Sequence, residues 1–142
     1  MMRKSATAFV GALVASLTPI SALACSCARN PTAEGLLASH ASIFTGTVRA
    51  VQTIAPGQSV TTFVVSEPFK GAQRGEIVNI YHRSGSSAAC GVTFDYGGTY
   101  TLAASRQGPQ LWTSQCSTWM FLPHVGISGE LITGLRHLRR GR

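Results

Sequence analysis

The chain has 142 residues, enough for one domain. Lys and Arg number 12 against 5 Asp and Glu, a formal charge of +7, and charged residues make up 12% of the chain where hydrophobic ones reach 44%. That is half the roughly 25% charge usual in soluble proteins; it excludes an intrinsically disordered chain, and the body of the sequence holds no apolar run long enough for a multi-span membrane protein.

Residues 1–24 read as an export signal. Arg3 and Lys4 form a positive start, Ala6 to Leu17 an apolar stretch, Pro19 a break, and Ala22-Leu23-Ala24 supplies small residues at the positions a signal peptidase needs. The expected cut lies between Ala24 and Cys25 and leaves 118 residues with a charge of +5, because Arg3 and Lys4 leave with the signal. Two other readings are a single membrane anchor and a lipoprotein acylated on Cys25. Ser16, Thr18 and Pro19 interrupt the apolar run and weigh against the first. Against the second, Ala22 stands three residues before the Cys, where such sites usually carry Leu.

All four cysteines, Cys25, Cys27, Cys90 and Cys116, follow the expected cut. An even count in an exported chain reads as a disulfide framework. A Cys25–Cys27 ring is too tight for disulfide geometry. Cys25 and Cys27 therefore each pair with one of Cys90 and Cys116, and either arrangement staples the new N-terminus to two distant parts of the fold. Zinc binding by these thiols is disfavoured, since there is one CxC, two single Cys and four scattered His (His40, His82, His124, His137).

Asn30-Pro31 reads as the start of a short helix over residues 31–39, with Asn as cap and Pro at the first helical position. A strand follows over 41–51, with Ile43, Thr45 and Thr47 on one face and Gly46 as a bend or bulge. Pro56-Gly57 is a turn, and Val60–Val65 a second, β-branched strand ended by an edge or kink at Pro68. Residues 71–75 form a loop and 76–81 a third strand. Residues 84–88 form a loop into Cys90, Asp95–Gly98 a turn, 99–103 a fourth strand, 107–109 a turn and 111–113 a fifth strand. Five closely spaced strands predict an all-β chain with one or two short helices, closed as a small barrel or sandwich. In the tail, Leu131, Ile132, Leu135 and Leu138 share one helical face, with Arg136, His137, Arg139 and Arg140 around the rest. The reading adopted is a helix packed on the barrel with solvated arginines, in preference to one lying on an anionic surface.

The CxC at a newly made N-terminus, the helix after it, Ile43-Phe44-Thr45-Gly46-Thr47-Val48, Glu67-Pro68-Phe69-Lys70-Gly71, Cys90-Gly91 and Cys116-Ser117-Thr118 together resemble the netrin-like module. Within it, the chain is most similar to the N-terminal domain of the tissue inhibitors of metalloproteinases. The resemblance covers nearly all of residues 25–121, and its most specific parts are the CxC and the order of the later Cys. It implies a five-stranded OB-type barrel over 25–122 and the bridges Cys25–Cys90 and Cys27–Cys116; the basic tail over 123–142, read above as helical, follows it. The animal inhibitors carry a third bridge in this domain and a further C-terminal domain. Both are absent here, which points to a minimal relative of bacterial type.

The resemblance also implies a chemistry. A processed Cys25 would carry a free α-amine and a carbonyl oxygen two carbons apart, able to close a five-membered chelate on a metal. A catalytic protease zinc keeps an open position filled by water. Cys25 would displace that water and so remove the nucleophile. Ser26 would project toward the pocket beside the metal, and Cys27, Ala28, Arg29, Ala89, Cys90 and Gly91 would flank the contact. The expected partner is therefore a zinc metalloprotease. No cofactor or metal of the chain's own is expected, no nucleic acid, a membrane only through a lipidated Cys25, and a monomeric state. The alternative is a non-inhibitory binding or adhesion module of the bacterial envelope, in which Tyr81, Tyr96, Tyr100, Trp112 and Trp119 stack on a ligand; core or rim packing is the preferred reading of those rings. No catalysis is expected, because the five carboxylates, Glu34, Glu67, Glu76, Asp95 and Glu130, form no paired motif and no HExxH, GxSxG or phosphate loop occurs.

Overall fold

A computed structural model describes residue 27 and residues 31–85, 90–118 and 126–141. Five strands follow a short helix: α1 (Ala33–Ser39), β1 (Ser42–Ala55), β2 (Gln58–Lys70), β3 (Ile77–Arg83), β4 (Thr99–Gln107) and β5 (Gln110–Thr113), with a second helix, α2 (Gly126–Arg140), in the tail. The sheet closes on itself in the order β1-β2-β3-β5-β4, with β4 returning to β1. Every pairing is antiparallel except β3 with β5, where Tyr81 lies opposite Trp112 in parallel register. The chain is thus the five-stranded OB-type barrel that the strand count and the resemblance lead one to expect.

The strands run longer than the residue pattern suggests. β1 and β2 meet at Ala55↔Gln58 around Pro56-Gly57. Proline first and glycine second, the latter at φ +70°, is what a type II turn asks for. Four register shifts break the β1–β2 ladder, one of them between Thr45 and Gly46, where a bend was expected. β2 does not end at Pro68 but passes through it to Lys70. Beyond Val64, β1 is the one strand that pairs with β2, and a residue without an N–H is tolerated at such an edge.

Alternation builds the core. Phe44, Val48, Phe63, Val65, Val78, Ile80, Tyr100, Leu102 and Ala104 fill the barrel. The Phe63 ring meets Phe44, Phe94 and Tyr100 edge to face, with centroids 5.8, 5.1 and 6.5 Å away. Val92 and Phe94 come from the connection between β3 and β4 and close the barrel from that side. Ile43, Thr45 and Thr47 share the outer face, as the alternation implies. Ile43 is buried there under the helices, and the Thr45 and Thr47 hydroxyls lie 2.8 and 3.1 Å from those of Thr101 and Thr99.

A second apolar cluster lies outside the barrel, where Ile43, Phe69 and Ala103 meet Ala33 and Leu36 of α1 and Leu131 and Leu135 of α2. The segment Glu67–Gly71 organises it. The Glu67 carboxylate accepts from Arg136 Nε and Nη2 at 3.0 and 2.9 Å. Arg139 donates to the Pro68 carbonyl at 3.1 Å and lies over the Phe69 ring. Lys70 Nζ donates to the carbonyls of Leu37 and His40, two of the groups that the end of α1 leaves open. One expectation is corrected here. α1 starts at Ala33 and not at residue 31, because Thr32 takes the cap and its Oγ1 accepts from the Gly35 N–H at 3.0 Å. The tail arginines are exposed, as expected, and two of them, Arg136 and Arg139, also grip β2 through Glu67.

Gly71 has φ +63°, and a Cβ there would lie 2.2 Å from the Ala41 carbonyl oxygen. Gly108 has φ +58° with open space around it. Both carry left-handed strain on substitution, but the first adds a backbone collision. Gly71→Ala should therefore cost about 2–3 kcal/mol in urea unfolding, and Gly108→Ala about 1 kcal/mol; equal costs would contradict the close approach.

Candidate functional site

One end of the barrel gathers the cysteines. β5 leads into a 3-10 turn, Gln115–Ser117, which carries Cys116. Cys116 is bonded to Cys27 with Cα atoms 5.2 Å apart, a link between positions 89 residues apart in the chain. The Gln115 N–H, one residue before Cys116, donates to the Cys90 carbonyl at 3.1 Å. Cys90 is itself disulfide-bonded, to a partner outside the described residues. Three of the four half-cystines, Cys27, Cys90 and Cys116, therefore share one region, and Cys27 is exposed there.

The backbone under Cys90 is tightly set. Cys90 has φ +56°, the one non-glycine residue with positive φ among those described. Gly91 follows where a Cβ would sit 3.2 Å from the backbone of Arg83 and Gly85. The Val92 N–H then donates to the Arg83 carbonyl at 2.9 Å, and Val92 and Phe94 enter the core. The Ser84 N–H donates to the Gly57 carbonyl, so the β1–β2 turn lies against the start of the same loop. From the other side His40 Nε2 lies 3.3 Å from Ser117 Oγ, which ties the 3-10 turn to the end of α1.

His82 lies beneath this region at 1% exposure. Its Nδ1 lies 3.3 Å from the Arg83 carbonyl, which can only accept, so Nδ1 carries the proton. Nε2 then accepts from the Thr61 hydroxyl at 2.8 Å. The Phe94 ring packs edge-on at 4.9 Å. Burial holds the imidazolium pKa below its ordinary 6.5, against the opposing effect of the Arg83 and Val92 backbone.

Of the residues expected at the site, the structure places Cys27, Cys90 and Gly91 together. Cys25, Ser26, Ala28, Arg29 and Ala89 lie outside the described residues, as does Trp119. The aromatic residues separate into two groups. Tyr100 is in the core, whereas Tyr96 is exposed and Tyr81 and Trp112 pair on the outer wall. Among the described residues no cluster of three His, Cys, Asp or Glu side chains is placed to hold a metal, and no helix is long and apolar enough to cross a membrane. The buried Thr61–His82 pair and the Val92/Phe94 plug were missed in the sequence, although Val92-Thr93-Phe94 does alternate between Gly91 and Asp95. No family model matches the chain, and no curated protein matches it.

Two outcomes follow from this geometry. Replacing Cys27 and Cys116 together by Ser should lower unfolding stability by several kcal/mol, with a ceiling of about 4–5 kcal/mol for so long a loop; an unchanged denaturation midpoint would show the bridge to be idle. Because folding weakens proton binding at His82, the unfolded chain takes up more protons as pH falls. Stability is full above pH 7 and declines below the ordinary 6.5, by at most about 1.4 kcal/mol per pH unit. Glu67, held below its ordinary 4.5 by its hydrogen bond from Arg136, contributes in a lower window and loses that contribution as pH falls through 4.5. His82→Gln should flatten the thermal-midpoint curve between pH 7 and about pH 5 and leave the lower limb in place.

Proposed function

We propose that the chain is a secreted inhibitor of zinc metalloendopeptidases, in which the α-amine and carbonyl oxygen of a processed Cys25 occupy the open position on the protease zinc. The observation that carries this reading is the convergence of Cys27, Cys90 and Cys116 at one end of an OB-type barrel, with Cys27 exposed at the start of the described chain. A segment fastened this closely loses little conformational freedom when it enters a cleft. The signal-like residues 1–24 and the disulfide agree with an oxidising compartment outside the cytosol.

The chemistry requires a free N-terminal nitrogen in its neutral form. An α-amine titrates near 7.7–8.0, so part of it is neutral at pH 7, and a metal favours that form further. Ser26 follows toward the pocket beside the zinc, and Ala28, Arg29 and the loop through Ala89, Cys90 and Gly91 complete the contact. Acylation of Cys25 would remove the amine and exclude the mechanism.

The test compares the chain starting at Cys25 with one carrying a single Ala before it, against a panel of zinc metalloendopeptidases. The first should inhibit at least one enzyme, and the extension should weaken inhibition on the order of a hundredfold, equivalent to about 3 kcal/mol. Absence of inhibition across the panel, or equal inhibition by the extended chain, would overturn the proposal.

A further inference from the structure

We propose that the chain, whose sequence leads one to expect a monomer, self-associates through the outer edge of β1, where a second copy adds its own β1 antiparallel across a twofold axis at Gln52. The sheet leaves that edge open. β4 pairs with β1 from Ser42 to Thr47, whereas β2 follows it to Ala55. The turn before β4 adds one more step: the Val48 N–H donates to the Gly98 carbonyl at 2.9 Å, and the Val48 carbonyl accepts from the Gly97 N–H at 3.0 Å. Beyond Val48 no strand among the described residues pairs with that side of β1, and every residue from Arg49 to Ile54 is exposed. Backbone N–H and C=O groups in a strand alternate in direction, so those that point away from β2 offer a ladder to another strand.

The side chains along this edge agree with pairing. Val51 and Ile54 are each 45% exposed, and Tyr96, 76% exposed, stands in the turn that bonds Val48. Four large hydrophobic side chains are exposed among the described residues, and three of them therefore lie at this edge; the fourth is Ile77 on β3. Sheet edges are usually blunted by charge or proline. Ala50-Val51-Gln52-Thr53-Ile54-Ala55 has neither, in a chain that carries 12 Lys and Arg.

The symmetry of the segment selects a second copy as the occupant. The ladder to β2 counts five positions, Ala50, Val51, Gln52, Thr53 and Ala55, opposite Thr62, Thr61, Val60, Ser59 and Gln58. Ile54 is the extra residue of a bulge and shares the position of Thr53. Counted this way, the segment reads alike in both directions about Gln52. In a twofold antiparallel pair Ala50 faces Ala55, Val51 faces Thr53 with Ile54, and Gln52 faces its own counterpart, whose amide both donates and accepts. The nearest charge, Arg49, falls outside the five positions, so no two cations are set opposite each other. A strand of another protein would find the same backbone groups but has no reason to match this order. The association needs no protease and no free Cys25 amine, and so stands apart from the proposed inhibition.

The test is sedimentation equilibrium of the exported protein from about 1 to 500 µM. Five paired positions make a small interface, so a monomer–dimer equilibrium with a dissociation constant on the order of 10–100 µM is expected. Gln52→Lys and Gln52→Glu each set like charges opposite each other at the axis and should weaken the dimer by about tenfold or more. An equimolar mixture of the two variants sets opposite charges there and should recover the association. Gln52 is exposed, so neither variant disturbs the core. Ile77→Lys, at an exposed apolar position away from the edge, should leave the equilibrium unchanged. A chain that stays monomeric throughout, a dimer that either Gln52 variant leaves as tight as before, a mixture that associates no better than its components, or a loss equal to theirs in Ile77→Lys would overturn the proposal.

Discussion

The bond between Cys27 and Cys116 is the constraint on which the rest of the site depends. It fixes Cys27, at the start of the described chain, to the turn that follows β5. Its anchor is good because of how the barrel closes. β5 has four residues, yet it is held between β3 in parallel and β4 in antiparallel pairing, and the turn bearing Cys116 follows within two residues. The hydrogen bond from Gln115 to the Cys90 carbonyl then brings the loop after β3 to the same place.

Two apolar clusters share the task of supporting that end. The barrel interior is organised around Phe63 and plugged by Phe94, whose connection also carries Cys90 and Gly91. The outer cluster holds α1 and α2 against β1, β2 and β4. Glu67–Gly71 seats the outer cluster, with an ion pair to Arg136 and Arg139, a buried Phe69, a lysine on the carbonyls of α1 and a glycine at a close backbone approach. The Glu67–Gly71 segment thus works in this chain as the seat of the helices.

The fold was legible in the sequence where a single physical rule governs a stretch. β-Branched alternation marked Val60–Val65, and a turn pair marked Pro56-Gly57. The four leucine-type positions of the tail marked α2. Legibility failed where tertiary partners decide. The ends of β1 and β2 depend on bulges that no local pattern encodes. Thr32 displaced Asn30 as the cap because its hydroxyl, and not proline geometry, reaches the Gly35 N–H. The closure of β3 on β5 joins residues some thirty positions apart and leaves no periodicity. Arg136 faces solvent as its pattern implies, but its ion pair with Glu67 was not legible, because the partner lies 69 residues away in sequence. The site was legible through its cysteines alone. The buried His82–Thr61 pair sits in strands whose alternation predicts interior positions without distinguishing polar from apolar occupants.

The proposed inhibition requires a polypeptide that begins at Cys25 with an unmodified amine and is held against the Cys90 loop by sulfur. Peptide mapping of the exported protein under non-reducing conditions, with intact-mass analysis, tests this most directly. The expected result is an N-terminal peptide starting at Cys25, free of acyl groups and covalently joined to the peptide containing Cys90, together with the Cys27–Cys116 pair. An N-terminus at any other residue, a lipid on Cys25, or a Cys90 peptide joined elsewhere would contradict it.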